Sequence, residues 1–275
     1  MTIHNLKQFK TLLALTLVGI LSSSLFSCAT SPEGRQQLKL FPDDQMNTMG
    51  VQSFEEIKKQ TPLTKDNNIQ QYVLCIANKI IPQVTQNPNP KDWEVVVFED
   101  KQANAFALPG NKIGVYTGLL QYAKNQDQLA AVIGHEVGHV IAKHGNERVS
   151  SQLATQAGLS IAAIALGTTQ DENNSLILAG LGLGVQYGII LPFSRSHESE
   201  ADLIGLDLMA KAGFNPEESV TLWKNMSQAG TSMPEFLSTH PSGDTRIKQL
   251  KERIPKANVT YQQTVNKGQR ATCKL

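Results

Sequence analysis

The sequence predicts an α+β fold that is mostly helical, with a small mixed β-sheet beside one helix that carries the pattern His-Glu-x-x-His. Apolar residues recur through much of the chain at the three- and four-residue spacing of a helix face. Short runs rich in β-branched and aromatic residues stand together just before that helix. The 275 residues, with 40% apolar content and a net charge of +1, suit one domain and argue against nucleic acid as a partner.

The first 27 residues have the features of an export signal peptide. Lys7 and Lys10 precede an apolar run over residues 11–21, which is shorter than the ~20 residues of a membrane-spanning helix. The following segment resembles a bacterial lipobox, in which Cys28 is acylated and becomes the mature N-terminus, although Phe26 replaces the usual small residue. We therefore predict a lipid anchor on the cysteine, with plain secretion and nearby cleavage as the alternative.

The rest of the chain is divided into a tether, one domain and a tail. Residues 28–43 are predicted to be a polar, lipidated tether, residues 44–255 the domain, and residues 256–275 a C-terminal tail that is strand or disorder. Cys75 and Cys273 are an even pair that a disulfide could join in an oxidising compartment. Cys75 could equally be a buried hydrophobic residue, and both interpretations stay open.

Helices and strands precede the His-Glu-x-x-His pattern. A packing helix is predicted through Phe54 and Ile57, and a second, with one apolar stripe, over residues 67–84. The alternating runs that follow predict strands over residues 93–98, 104–108 and 113–116. Pro109-Gly110-Asn111 forms the turn between the last two strands.

His135 and His139 lie four residues apart in a helix that Asn125 caps, so both imidazoles share one face and can bind the same metal ion. Zinc suits this pair, because it accepts neutral imidazole nitrogens and with three protein ligands leaves a position for water. Glu136 lies beside the first ligand, where it can take a proton from a water that attacks a carbonyl. The pattern predicts a hydrolase with one zinc ion per chain.

A third ligand is expected downstream, in a second amphipathic helix. Glu198 and Asp202 are four residues apart on one face of that helix, and a His2Glu site needs one carboxylate ligand and one carboxylate that orients a histidine. Glu200 points about 200° away from Glu198 and is interpreted as a surface or N-terminal-turn charge. His144 lies about 900° along the helix from His135 and is interpreted as a cation at the helix end.

Two segments between the metal helices, residues 153–167 and 176–193, are nearly free of charge. The second is apolar enough to be considered as a membrane span. Its four glycines and Gln186 favour a buried, closely packed helix instead. We expect both segments to be buried helices.

Five motifs follow one another along the chain. They are Asn104-Ala105-Phe106-Ala107-Leu108-Pro109-Gly110, Val115-Tyr116-Thr117-Gly118-Leu119, His135-Glu136-Val137-Gly138-His139, Ser194-Arg195 with Glu198-Ser199-Glu200-Ala201-Asp202, and Thr239-His240-Pro241 with Arg246-Ile247. With these motifs the chain resembles a family of gluzincin-type zinc metallopeptidases, which includes the CAAX prenyl endopeptidases, the heat-shock membrane protease HtpX and the periplasmic β-barrel-assembly-enhancing proteases. Cys28-Ala29-Thr30, Pro32 and Gly34-Arg35 further resemble the lipoprotein members.

The resemblance implies roles for individual residues. By the family pattern Glu198 is the third zinc ligand and Asp202 is the carboxylate behind a ligand histidine. His240 either stabilises the transition state or caps the zinc in a resting form, and Arg246 supports the site. A sheet edge beside the metal helix of a zinc peptidase can bind an extended substrate by strand addition, which assigns that role to Ile113, Gly114 and Val115.

The function expected from these features is that of a zinc endopeptidase of the bacterial cell envelope. It would hydrolyse unfolded or misassembled envelope proteins in the periplasm, anchored to the outer membrane through Cys28. The alternative is a chaperone or assembly factor for outer-membrane proteins with latent peptidase activity. Either function allows the outer-membrane assembly machinery as a partner.

Overall fold

Helices make up most of the structure, a computed structural model that describes residues 28–85, 89–165, 193–227, 235–241 and 244–275. The predicted signal peptide and residues 176–192 lie outside these ranges. None of the described helices is long and apolar enough to cross a bilayer. The helices are α1 (Asp43–Gln60), α2 (Asn67–Ile80), α3 (Gln126–Ile141), α4 (His144–Ala165), α5 (Arg195–Lys211), α6 (Glu218–Ser227), α7 (Glu235–Thr239) and α8 (Asp244–Asn266), with short 3-10 turns at Ile81–Gln83, Pro90–Asp92 and Thr117–Gln121.

A three-stranded mixed sheet lies beside α3, which confirms the predicted fold class and all three strands. Its strands are β3 (Glu94–Phe98), β4 (Ala105–Leu108) and β5 (Lys112–Tyr116), in the order β3-β5-β4. β4 and β5 form an antiparallel hairpin, while β3 pairs with β5 in parallel. Gly114 lies under two aromatic rings, since a Cβ there would come within 2.4 Å of Phe106 and 2.9 Å of Phe98.

The prediction that β5 is the edge strand that binds the substrate is wrong. Ile113, Gly114 and Val115 belong to the middle strand, whose backbone pairs with β3 on one side and β4 on the other. Their hydrogen-bonding groups are therefore used within the sheet, and a peptide cannot add there. The chain order of the strands does not reveal this, because β3 pairs with β5 rather than with its neighbour in sequence. The sheet edge that faces the metal helix is β4, whose Ala107 lies beside Glu136.

Helices α3 and α5 pack so closely that their backbones touch. A Cβ on Gly134 would come within 2.8 Å of the Gly205 carbonyl oxygen, and one on Gly138 within 2.8 Å of the Ala201 oxygen. Gly205 is equally confined, since its added Cβ would lie 2.6 Å from the backbone nitrogen of His135. No side chain fits between the two helices at these points, so the backbones alone set the distance between the faces that carry the candidate ligands.

The two ends of the described chain are more ordered than the sequence predicts. The segment predicted to be a tether begins as an antiparallel hairpin of β1 (Cys28–Thr30) and β2 (Gln36–Leu38), whose Gln37 is buried. The predicted strand or disorder after residue 255 is wrong, because α8 continues through Pro255 to Asn266. Leu250 and Ala257 are buried, so the helix packs against the core on both sides of the proline. That packing offsets the cost of about 3 kcal/mol that an internal proline imposes.

A disulfide joins Cys75 of α2 to Cys273, which decides between the two interpretations left open by the sequence. The backbone N–H of Cys273 donates to the Gln126 side chain, and that side chain donates to the Ala271 carbonyl. The C-terminal segment is thus tied both to α2 and to the first turn of α3, the helix that carries the His-Glu-x-x-His pattern.

Removing this disulfide should lower the free energy of unfolding by about 2–5 kcal/mol, because the bond closes a loop with a sequence separation of 198. Urea unfolding followed by tryptophan fluorescence, on the wild type and on the Cys75→Ala/Cys273→Ala variant, measures the change. A reductant should move the wild-type midpoint to that of the double variant and leave the variant unaffected. Equal midpoints under oxidising conditions would show that the cross-link adds no stability.

Candidate metal centre

The His-Glu-x-x-His pattern lies on α3, as predicted, and Asn125 caps the helix by accepting from the Gln128 N–H. The helix positions His135, Glu136 and His139 at its buried centre, each no more than 3% exposed. Polar groups in such a place need partners, because burying them without one is costly. For the two histidines, α4, α5 and the segment after α7 provide these partners.

Two histidines of α3, Glu198 of α5 and His240 form one group of possible metal ligands. One ligand atom of each lies within 4.8 Å of all the others. Nε2 of His139 is 3.0 Å from Nε2 of His135 and 3.4 Å from Oε1 of Glu198. Ligands held tetrahedrally by zinc at 2.0–2.1 Å lie about 3.3 Å from one another, so these separations fit a single zinc ion.

The ring tautomers also fit a metal. Nδ1 of His135 lies 2.9 Å from Oδ1 of Asp202, so it donates to this carboxylate and leaves the Nε2 lone pair directed into the group. Two imidazole nitrogens and a carboxylate oxygen then face one another with their lone pairs, and there are too few protons for hydrogen bonds between all of them. A cation is the component that such a set of donors needs, and nitrogen and oxygen donors without a thiolate suit zinc.

Arg246 of α8 holds two carboxylates of the site at once. Its Nε and Nη2 donate to the two oxygens of Asp202 at 2.6 and 2.8 Å, and its Nη1 lies 2.7 Å from Oε2 of Glu198. The guanidinium also lies 4.0 Å from the ring centre of Trp223. Burial raises the pKa of Asp202, but Arg246 and His135 together outweigh burial and hold that pKa below its ordinary value. Arg246 therefore keeps Asp202 ionised and fixes the direction of Glu198.

Glu136 differs from the other carboxylates, because neither of its oxygens has a well-formed hydrogen bond to a side chain among the described residues. Its Oε1 is 3.5 Å from Nε2 of His240, and the N–H of Ala107 in β4 faces the carboxylate. Burial raises the pKa of Glu136 above its ordinary value, and His240 and His135 only partly oppose the rise. A carboxyl group with a raised pKa is suited to accept and return a proton near neutral pH.

His240 follows α7 and lies inside the ligand group. Its Nδ1 is 3.0 Å from Oε1 of Glu198 and 3.1 Å from Nε2 of His135. The ring stacks on Phe236 with centroids 4.4 Å apart, and on Phe193 with centroids 5.5 Å apart. These contacts direct the imidazole to the position that a fourth ligand would take, which is the geometry expected of a cap.

The positions of His144 and Glu200 differ from those predicted from the sequence. His144 is fully buried rather than a cation at a helix end, and burial lowers its pKa to about 4. The extrapolation by helix angle fails because α3 ends at Ile141 and Lys143 has a left-handed φ of 57°, which turns the chain. Glu200 is buried rather than a surface charge, because the N-terminal hairpin covers its face of α5 through Arg35.

Sequence reasoning missed the whole cluster to which these two residues belong. Arg35 lies between Glu147 and Glu200, and His197 pairs with Glu147 at 3.1 Å. Burial raises the pKa of Glu147, but hydrogen bonds from His197 and Arg35 outweigh burial and lower it to about 2. One sign of this cluster is visible in the sequence, namely His144, which stands five positions after His139.

The arrangement defines the class of protein. A helix with His-Glu-x-x-His crosses a second helix that supplies a carboxylate to the ligand group and another behind it, which is the plan of a gluzincin-type metallopeptidase domain. The chain belongs to peptidase family M48, whose family model matches residues 65–254. This agrees with the family that the sequence motifs indicate.

Curated relatives come from mitochondria and from bacteria. The chain is 39% identical over 191 residues to the mitochondrial metalloendopeptidase OMA1 of Schizosaccharomyces pombe, covering 68% of this chain and 54% of the relative. It is 32% identical over 237 residues to the protein of the same name in Saccharomyces cerevisiae, with coverage of 79% and 66%. The beta-barrel assembly-enhancing protease of Escherichia coli K12 is 28% identical over 212 residues, with coverage of 74% and 43%. The matched part of the chain thus spans between 43% and 66% of the length of these relatives.

Proposed function

We propose that the protein is a zinc-dependent endopeptidase of the bacterial cell envelope that hydrolyses misfolded or misassembled envelope proteins. The observation that carries the endopeptidase activity is the Glu136 carboxylate, which is buried, free of well-formed side-chain hydrogen bonds among the described residues and adjacent to the ligand group. His135, His139 and Glu198 would hold a zinc ion, which would supply Lewis-acid polarisation of a carbonyl. Glu136 accepts the proton of the attacking water and delivers it to the leaving amine.

Three further residues are assigned supporting roles in the same reaction. His240 is proposed to donate to the developing oxyanion, because its ring lies beside Glu136. For this it first has to move out of the capping position. Asp202 keeps the proton of His135 on Nδ1, so that Nε2 stays available to the metal. Arg246 holds Asp202 in place.

The substrate is proposed to bind along β4. This strand lies at one edge of the described sheet and brings Ala107 to Glu136, so an extended peptide paired with it would pass the ligand group. Strand addition needs a peptide with unpaired backbone groups, which unfolded chains offer and folded domains rarely do. This requirement supports unfolded or misassembled proteins as the substrates.

The envelope location rests on the N-terminal sequence and on the disulfide. The signal-like segment and Cys28 support export and lipid anchoring, and the bond between Cys75 and Cys273 is of a kind that persists in oxidising compartments. The Escherichia coli relative is named as a β-barrel assembly-enhancing protease. Outer-membrane proteins and their assembly machinery are accordingly the proposed partners.

A second candidate function is an assembly factor for outer-membrane proteins whose peptidase activity is latent. The observation in its favour is His240, whose Nδ1 lies within the ligand group, 3.0 Å from Glu198. A cap in this position would keep water and substrate away from the metal. Measurable peptide hydrolysis by the purified protein decides between the two functions.

Purified protein should cleave casein and reduced, carboxymethylated lysozyme but leave native lysozyme intact, because only the unfolded chains can pair with β4. Gel electrophoresis and mass spectrometry of the fragments measure cleavage. A metal chelator should stop the reaction, and added zinc should restore it. Equal cleavage of native and unfolded lysozyme would contradict the proposed substrate class, and no cleavage of any substrate would favour the assembly factor.

The mature protein should begin at Cys28, carry lipid there and fractionate with the outer membrane. Ala29 follows the cysteine, without the aspartate associated with inner-membrane retention in enteric bacteria. A diacylglycerol together with an N-acyl chain provides the two anchors that stable membrane attachment requires. Mass spectrometry of the N-terminus tests the modification, and Cys28→Ala should give a soluble or unprocessed form. An unmodified N-terminus at another residue, or membrane association of this variant after a carbonate wash, would refute the anchor.

A further inference from the structure

A second buried polar cluster lies directly behind the ligand His139. Nδ1 of His139 is 2.9 Å from Nδ1 of His144, and Nε2 of His144 is 3.2 Å from Oε2 of Glu200. The Nε of Arg35 donates to the same oxygen of Glu200 at 3.1 Å, and its Nη2 donates to Glu147 at 2.6 Å. A guanidinium thus provides the positive charge of this cluster, which has no need of a metal ion of its own.

The protons of this chain of contacts can be assigned from its geometry. His139 directs Nε2 toward the other metal ligands, so its ring proton must be on Nδ1 when that nitrogen lone pair binds a metal. Nδ1 of His144 is then the acceptor, which places the proton of His144 on Nε2. That proton is directed at Glu200. One arrangement of protons therefore satisfies every contact from His139 to the carboxylate.

The two ligand histidines of α3 are held by similar means. Asp202 accepts directly from His135 and is fixed by Arg246. His139 is held at one remove, through His144, by a second carboxylate of α5 that is fixed by a second arginine. These two carboxylates, Asp202 and Glu200, are two residues apart and so lie on different sides of α5. Each of these sides supports one of the two ligand histidines.

The second arginine comes from the N-terminal hairpin. Besides Arg35, the hairpin presents the N–H of Glu33, which donates to Oε1 of Glu200 at 3.2 Å. The Gln37 side chain donates to the Ala142 carbonyl at 2.6 Å, just beyond the last residue of α3. The hairpin is thus attached both to the carboxylate behind His144 and to the end of the helix that carries the ligands.

We propose that Arg35, Glu200 and His144 are positioning residues for the metal ligand His139, and that docking of the N-terminal hairpin completes the metal site. The inference rests on the proposed zinc site. Partners that orient a ligand histidine are worth 10–100-fold in metal affinity in other zinc proteins. Loss of the direct partner of His139 should therefore weaken zinc binding by about 10–100-fold, and loss of the guanidinium by a smaller factor in the same direction.

Zinc dissociation constants, measured by equilibrium competition with a chromophoric chelator, test the proposal. His144→Leu removes the acceptor, whereas His144→Gln keeps an amide oxygen for His139 and an amide N–H for Glu200. Arg35→Met removes the guanidinium and keeps the apolar stem. Arg253→Gln is the matched control, because Arg253 pairs with Glu33 of the hairpin and with Asp207 of α5 without contacting His144. Thermal unfolding of each zinc-free protein reports folding separately from metal binding.

The expected result is weaker zinc binding in His144→Leu and, to a lesser extent, in Arg35→Met, with His144→Gln closer to wild type and Arg253→Gln within twofold of it. Wild-type affinity in a folded His144→Leu protein would overturn the proposal. An equal loss in Arg253→Gln would overturn the positioning role of Arg35, because general loosening of the hairpin would then explain the effect of Arg35→Met. A wild-type protein that binds no zinc would instead refute the proposed zinc site on which the inference rests.

Discussion

Glu136→Gln should abolish hydrolysis of unfolded casein while zinc content and fold remain those of the wild type. Glutamine has nearly the same shape as glutamate but cannot accept the proton of the attacking water. General acid–base groups contribute about 10²–10⁴-fold to rate, and Glu136 serves both proton transfers, so we expect a loss at the upper end of this range. Its burial beside the ligand group, without a well-formed side-chain hydrogen bond among the described residues, is the structural reason to expect Glu136 to work as both acceptor and donor.

The measurement is the initial rate of casein cleavage, combined with metal analysis and thermal unfolding of the same preparation. Glu94→Gln is a suitable control, because Glu94 is a partly exposed carboxylate of β3 that pairs with Lys58 and Lys112, away from the ligand group. Cleavage by the Glu136→Gln variant at the wild-type rate would show that another residue or a contaminating protease is responsible.

Glu198→Ala should remove zinc from the purified protein. Loss of an indirect partner of a ligand already costs 10–100-fold in affinity, so loss of the only carboxylate in the ligand group should cost at least about a hundredfold. The change also leaves Arg246 with a single carboxylate partner in a buried site, which adds to the cost of folding. Casein cleavage should disappear together with the metal.

Metal content after dialysis and chelator competition measure this effect. Asp207→Ala alters a carboxylate of the same helix that faces Arg253 rather than the metal group, and this control should keep one zinc ion. Glu200→Ala should also keep zinc, although with the weaker affinity expected from loss of the support behind His139. Zinc retained at wild-type affinity in Glu198→Ala would exclude this residue as a ligand.

The candidate ligands could be predicted because their signal is local. In a helix, a spacing of four residues places His135 and His139 on one face, independently of the rest of the chain. The same spacing places Glu198 and Asp202 on one face of the second helix. The neighbouring apolar residues showed that these polar groups would be buried. The structure brings all four residues together.

The features that could not be predicted depend on contacts between distant parts of the chain. Arg35 meets Glu200 across 165 positions in sequence, so nothing near Glu200 shows that its side of the helix is covered. The same limitation explains the substrate edge, because the pairing of β3 with β5 decides which strand is central. The burial of His144 has a more local cause, since the left-handed residue Lys143 redirects the chain just before it.

The contact between α3 and α5 has a consequence for how the protein gains and loses its metal. Because glycine backbones fix the separation of the two helices, metal binding should not have to bring the helices together. Buried cations such as Arg246 meanwhile balance the carboxylates. The metal-free protein should therefore keep its shape, give up zinc to a chelator reversibly and recover activity without refolding. In this respect it would differ from small zinc domains that unfold when the ion is withdrawn.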